Sequence, residues 1–220
     1  MERLTSIVAM NHEGVIGCGN TLPWRLQQDM QFFKQETMGN VVLMGRKTFD
    51  SLGRRCLPKR YNLVISHDFG LFPDTDTCKA AHGIEDALFR ATLAPAVYRE
   101  TYVIGGASMY LQFAPYVDRY LVTIVNKEVS SPDTFFPREL ISDEKQWEFR
   151  FLGDARASDV NEASFAIFEL QSRNRAAIIE QRSEAIEQVR ARSMASVRPL
   201  PRRRSSSARL PDNYALSMPL

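Results

Sequence analysis

The chain has 220 residues, 44% hydrophobic and 25% charged, with a formal net charge of +2. That length suits one well-buried domain with an appendage, and the balanced charge points to neither nucleic acid nor a membrane surface as partner. Cys18, Cys56 and Cys78 are odd in number and widely spaced, with no Cys-x-x-Cys pair, so they read as reduced cytoplasmic thiols and exclude a disulfide frame or a zinc site. No apolar run approaches the roughly 20 residues of a membrane span, and "MERLTSIVAMNHEG" lacks a signal core, so a soluble intracellular protein is expected.

Short apolar runs recur along the chain: "TSIVAM", "NVVLMG", "YNLVIS", "TYVIGG" and "YLVTIV". Continuous runs of this length, without alternation, suit strands buried on both faces of a mostly parallel sheet. Helical patterns fall between them, at Leu26 to Glu36, Lys47 to Leu52, Glu85 to Arg90 and Met109 to Phe113. The expected fold class is therefore α/β: a central, mostly parallel twisted sheet with helices on both faces. "EFRFLG" and "SFAIFELQS" alternate more and read as an antiparallel C-terminal edge. After Asn174 the composition changes. Residues 174–196 read as a helix with Ile179, Ile186 and Val189 on one side, and the Pro-, Ser- and Arg-rich residues 197–220 as disordered. Nine Arg there against three Glu and one Asp give a local +5, leaving residues 1–173 at −3.

Within the first helix, Leu26, Met30 and Phe33 share an apolar face, and Asp29 lies on it. Desolvating an unpaired carboxylate is costly, so Asp29 is either not buried, paired inside the protein, or reserved for a ligand. Two strand-to-helix junctions carry glycine, at Gly45 before Arg46 and Lys47, and at Gly105-Gly106. Each is either an ordinary βα turn or a helix N-terminus offering backbone N–H groups to phosphate; two together suggest a nucleotide. G-x-G-x-x-G is absent. His12, His67 and His82 lack metal-ligand spacing, so no metal is expected, and no Gly-x-Ser-x-Gly elbow supports a serine nucleophile.

Taken in order, "GVIG" with "NTLPW", the lone Asp29 with Phe33 beyond it, "VVLMGRKTFDSLGR", "LPKRYNLVIS", "VIGGASMY" and "YLVTI" followed by "DTFFP" resemble the dihydrofolate reductase family, from about Leu4 to Arg173. The resemblance implies a reductase domain over residues 1–173. It implies NADPH-dependent reduction of 7,8-dihydrofolate to tetrahydrofolate, with hydride delivered to pterin C6 and a proton to N5, serving one-carbon metabolism. On that reading Asp29 grips the pterin N3 and 2-amino groups by paired charge-assisted hydrogen bonds. Thr123 joins its network, Trp24 holds a water near it, and Leu22 gates the water that delivers the proton. Ile7, Val8, Ala9, Met30 and Phe33 line the substrate cleft, with Leu52 and Leu57 opposite. Ile104 and Tyr110 press on the nicotinamide side, and Arg60 forks onto the glutamate α-carboxylate.

For the cofactor, the resemblance implies that Gly45, Arg46, Lys47 and Thr48 meet the phosphates. Gly105-Gly106 carries a cis peptide, and Ala107, Ser108 and Met109 continue that wall. Ser66, His67 and Arg46 lie near the 2′-phosphate, while Ala9, Ile16, Asn20 and Thr21 approach the nicotinamide half. Asn11 to Leu22 forms a lid, partnered by Asp133 through backbone contacts. Two departures are a leucine at 22, where methionine is common, and a longer partner loop at "EVSSPD", which weighs against the occluded lid state of some relatives. The tail has no counterpart in the minimal enzyme. It is expected to be dispensable, the enzyme is expected to be a monomer, and only the tail's basic run offers nucleic acid a contact. A pyrimidine reductase of riboflavin synthesis would not need Asp29, and a non-catalytic folate- or NADPH-binding component would not need every polar group present.

Overall fold

The computed structural model describes residues 1, 3–67 and 75–196. Its centre is an eight-stranded sheet whose strands, from one edge, run β5 (Cys78–Ala81), β4 (Tyr61–Ile65), β3 (Val41–Gly45), β6 (Thr101–Val103), β1 (Leu4–Asn11), β7 (Arg119–Val125), β10 (Phe165–Ser172) and β9 (Trp147–Ala155). Pairing is parallel from β5 through β7 and antiparallel across β10 and β9, as the change from continuous to alternating apolar runs suggests. A separate two-stranded ribbon joins β2 (Val15–Gly17) to β8 (Thr134–Phe135).

Because side chains alternate across a strand, β1 divides two cores. Leu4, Val8 and Met10 face a cluster completed by α3 (Ile84–Thr92), α4 (Ala107–Phe113) and Ile186. Ile7 faces the other way, toward Val42, Met44 and Leu121, under α1 (Gln27–Thr37) and α2 (Arg46–Ser51). Helices thus cover both faces. At Ile7 the pairing of β1 with β6 has ended, its last register being Ser6 with Val103, and the Tyr110 hydroxyl donates to the Ile7 carbonyl at 2.9 Å in its place. That bond meets the requirement that a buried carbonyl be paired.

The thiol reading does not hold: Cys56 and Cys78 form a disulfide, with Cα atoms 6.2 Å apart. The cause is tertiary. Asn62 on β4 accepts from Leu57 N at 2.9 Å and donates back to Leu57 O at 3.0 Å, folding the segment after α2 against the β4–β5 edge. Asn62 is also the register partner of Cys78, so Cys56 arrives beside it. Spacing in the sequence carries no trace of that approach. Cys18 remains a free thiol.

α5 (Arg175–Ser196) packs against α3 and the short 3-10 turn Ala114–Tyr116. Its inward stripe includes Ala185 and Ile186, and between them and the helix start stands Arg182, with 0% exposure. Arg182 donates to Asp118 Oδ1 at 3.2 Å, Tyr116 O at 2.7 Å and Met1 O at 3.3 Å, while Arg175 reaches Asp118 Oδ2 at 3.0 Å. Asp118 also accepts Leu4 N at 2.8 Å. The expectation that this segment is dispensable does not fit these contacts; residues 197–220, expected to be disordered, lie outside the described residues. No helix among the described residues is long and apolar enough to cross a membrane. Breaking a buried ion pair by removing one partner typically costs about 3–5 kcal/mol, so Arg182→Ala should lower the unfolding free energy by about 3 kcal/mol, Arg175 still serving Asp118. Truncation after Arg173 should cost at least as much, with urea midpoints reading both.

Candidate active site

α1 projects Asp29 toward the sheet, where Thr123, on β7 opposite Ala9, donates its hydroxyl to Asp29 Oδ1 at 2.7 Å. Burial pushes the Asp29 carboxyl above the usual range for aspartate, and the Thr123 hydrogen bond partly opposes it. Trp24 is buried in a neighbouring cluster with Leu26, Val125 and Ala163, against which Ala9 packs. Its Nε1 has no acceptor among the described residues. The carboxylate is therefore paired inside the protein, by the Thr123 hydroxyl.

The wall residues separate by face. Ile7, Phe33, Leu52, Leu57 and Ile104 meet in one apolar cluster beside α1. Val8 belongs to the opposite core, so its side chain is turned away from the cleft and only its backbone remains for it. Met30, on α1, is 50% exposed. Tyr110 is a buried strut more than a wall, since a Cβ on Gly105 would lie 3.1 Å from its hydroxyl.

Arg60 stands at the far end of α1 with only 4% exposure. Its guanidinium donates to Thr37 Oγ1 at 3.0 and 3.2 Å, Pro58 O at 2.8 Å and Lys34 O at 3.4 Å. All these acceptors are neutral. Burial lowers its pKa, yet an arginine stays cationic in a protein, so a desolvated positive charge sits here with no carboxylate partner among the described residues. Thr37 lies eight positions after Asp29, about 12 Å along a helix axis. A ligand that engages both charges must be elongated, with donors at one end and an anion at the other.

The two glycine junctions lie side by side. β3 and β6 are neighbours, and Gly45 N donates to Gly105 O at 2.9 Å. Gly105-Gly106 is a cis peptide, as the resemblance implied. A Cβ on Gly45 would lie 3.0 Å from Met109 Cγ, and one on Gly106 would lie 3.5 Å from Thr48 Oγ1, so backbones approach here because side chains are missing. Neither α2 nor α4 has a side-chain cap or an acid in its first turn. Ala107 and Ser108 open α4, and Ser108 accepts from Gln112. Arg46 pairs with Asp50 at 3.5 Å and Lys47 is exposed. Ser66 is buried and His67 exposed just past β4. Uncapped N–H groups, added cations and absent acids together fit a phosphate-bearing cofactor. His12 and His82 are exposed as well, and no His, Cys, Asp and Glu cluster that could hold a metal occurs among the described residues.

The segment from Asn11 to Leu22 is held by the β7–β8 loop and by β8. Gly19 and Asn20 have φ of 58° and 60° between the paired Cys18 and Thr21, as a two-residue hairpin turn of the primed kind requires. Ile16 lies in β2, half-buried. Asp133 meets the lid through backbone, its N donating to Gly17 O at 3.3 Å, and also through its carboxylate, which accepts Gly19 N at 2.7 Å. The Thr134 hydroxyl and then the Gly19 N–H hold that carboxyl below its ordinary pKa. Leu22, at the lid's end, is 51% exposed. Sequence reasoning missed the loop between β9 and β10, where Val160, Asn161 and Glu162 bond the segment Arg25–Gln28. Nothing local marks them, since their partners lie more than 130 positions earlier.

The family model for dihydrofolate reductase matches residues 3–172. A dihydrofolate reductase of Staphylococcus haemolyticus is 38% identical over 136 residues, which are 61% of this chain and 76% of that protein. One of Haemophilus influenzae is 35% identical over 160 residues, 70% of this chain and 89% of its own length. A solved dihydrofolate reductase from Enterococcus faecalis, complexed with NADP(H) and RAB-propyl, superposes with a TM-score of 0.67 at 26% identity, covering 79% of this chain and 98% of that one. α5 lies beyond the matched span, which takes in the sheet, the lid and both glycine junctions, and over that span the chain belongs to the dihydrofolate reductase family.

Proposed function

We propose that Asp29, Thr123 and Trp24 form the pterin-binding centre of this enzyme, with Arg60 holding the substrate's distal carboxylate. The activity itself is that of the family: the chain is an enzyme that reduces 7,8-dihydrofolate with NADPH. The observation that carries the proposal is the 2.7 Å bond from Thr123 to Asp29 at the edge of an apolar wall. There the carboxylate is desolvated enough to grip a flat pair of N–H donors strongly, and the hydroxyl fixes its orientation.

When bound, NADPH supplies the hydride, from nicotinamide C4 to pterin C6. Asp29 acts on the ring by charge. A carboxylate paired with N3 and the 2-amino group stabilises the cationic or enolic pterin and so raises the basicity of N5. It lies too far along the ring to protonate N5 itself, and a water passing the exposed Leu22 delivers that proton. Gly45, Gly106, Lys47 and Thr48 receive the phosphates, and Arg46 with His67 the 2′-phosphate. The lid closes through Asp133 and excludes bulk water from the reacting atoms.

A cytoplasmic, monomeric enzyme completes this reading; the one-carbon chemistry the product serves supports the compartment, for which the cysteines no longer speak.

Asp29→Asn should lower kcat/KM for dihydrofolate by about 100-fold or more, the scale of losing one preorganised electrostatic group. Undiminished turnover would refute the assignment. The same variant should be more stable than wild type at neutral pH. Because burial raises the Asp29 pKa, the folded state binds its proton more tightly, so the cost of keeping it ionised is fully present above its folded pKa and vanishes below its ordinary value of 3.8. The gain, read from urea midpoints, should therefore shrink as pH falls. Arg60→Leu should raise the KM for dihydrofolate about tenfold or more while changing kcat less, as loss of uniform binding does.

A further inference from the structure

Helix α1 cannot cap its own N-terminus. Its N-cap residue is Leu26, whose side chain accepts no hydrogen bond, so the first N–H groups need partners from elsewhere. Val160 O takes Gln27 N at 3.0 Å, and Asn161 Oδ1 takes Gln28 N at 3.1 Å. Asn161 is 2% exposed and returns a second bond, from Nδ2 to Gln28 Oε1 at 2.8 Å. Its side chain thus closes a two-point grip on the residue immediately before Asp29, across 133 positions of sequence.

The neighbouring contacts act on the same short segment. Leu26 and Asn161 form an antiparallel bridge, and Glu162 N donates to Arg25 O at 3.2 Å. Arg25 N donates to Glu162 Oε2 at 2.6 Å. Lys127 Nζ pairs with Glu162 and donates to Pro23 O at 2.9 Å. Val160 reaches the first helical residue through its backbone, and among the described residues of this loop Asn161 alone holds Gln28, the residue next to the catalytic carboxylate.

We propose that Asn161 is a positioning residue for Asp29: a cap supplied by the distant β9–β10 loop of the same chain, which sets the first turn of α1 and with it the direction of the carboxylate. The inference rests on the assignment of Asp29 given above. Losing the cap frees Gln28 N and its carboxamide together, lets the first turn open, and turns Asp29 off the pterin's donor pair. Small displacements of a catalytic group cost rate steeply, whereas the phosphate junctions of α2 and α4 lie outside this contact.

The test is a double-mutant cycle in the full-length chain, assayed with NADPH and dihydrofolate. Asn161→Ala should lower kcat/KM for dihydrofolate by about tenfold while the KM for NADPH stays within about twofold. Placed on Asp29→Asn, the same substitution should change kcat/KM by less than about twofold, because the group it positions is gone. Asn161→Asp keeps the oxygen that accepts Gln28 N, and the exposed Gln28 carboxamide turns its NH2 to the second oxygen, so the grip persists and activity should stay within about threefold of wild type; this variant serves if the alanine variant does not fold. Equal losses from Asn161→Ala in both backgrounds, an equal rise in the KM for NADPH, no loss at all, or a tenfold loss in Asn161→Asp would each overturn the proposal. Full activity in Asp29→Asn alone would instead overturn the assignment of Asp29, so the two failures are distinguishable.

Discussion

Everything in the cleft depends on holding one helix whose first turn carries a carboxylate against apolar side chains. α1 is short, 11 residues, and isolated helices of that length are marginal in water, so its placement comes from tertiary contacts. Those contacts grip both ends. Val160 and Asn161 serve the N-terminus, and Thr37 at the last turn accepts from Arg60 on the strand side. Between the grips, Thr123 reaches up from the sheet to Asp29 and Phe33 packs into the wall. Asp29 and Arg60, two desolvated charges of opposite sign, are thus spaced by the length of a single helix.

The sheet makes a second contribution through where its strands stop. β6 is only three residues long, so β1 loses that partner after Ser6, and Tyr110 must reach in to satisfy Ile7. The same early ending lets Gly105-Gly106 turn beside Gly45 at the ends of adjacent parallel strands. Ligands of open parallel sheets collect at such carboxyl ends, because the helices that follow diverge and leave their N-termini open.

Much of this was legible in the sequence wherever the signal is local. β1, β3, β4, β6 and β7 coincide with the continuous apolar runs, and α1 to α4 start and stop within three residues of their expected limits. β5, "CKAA", and the two-stranded ribbon of β2 and β8 were not legible, each strand being four residues or fewer. Motif order located Asp29, Thr123, Arg60 and the glycine pair. What only long-range approach decides was not legible there: the Cys56–Cys78 bond, the core into which Val8 points, and the loop that caps α1. Arg182 is the sharpest case. Within a helix rich in Glu and Arg it reads as one more solvated charge, and only the presence of Asp118 beneath makes it a core residue.

Asp118 itself gathers the chain in time as well as in space. Its carboxylate accepts from Leu4, 114 positions earlier, and from Arg182, 64 positions later, and its own carbonyl accepts Ser172 N. During synthesis, the first strand emerges long before the groups that satisfy its buried neighbour. A nascent chain that stops short of α5 presents the ribosome's surroundings with a buried acid lacking its cations, and such incomplete cores are where chaperones engage. α5 therefore acts as a closing step of assembly for β1, made some 170 positions earlier.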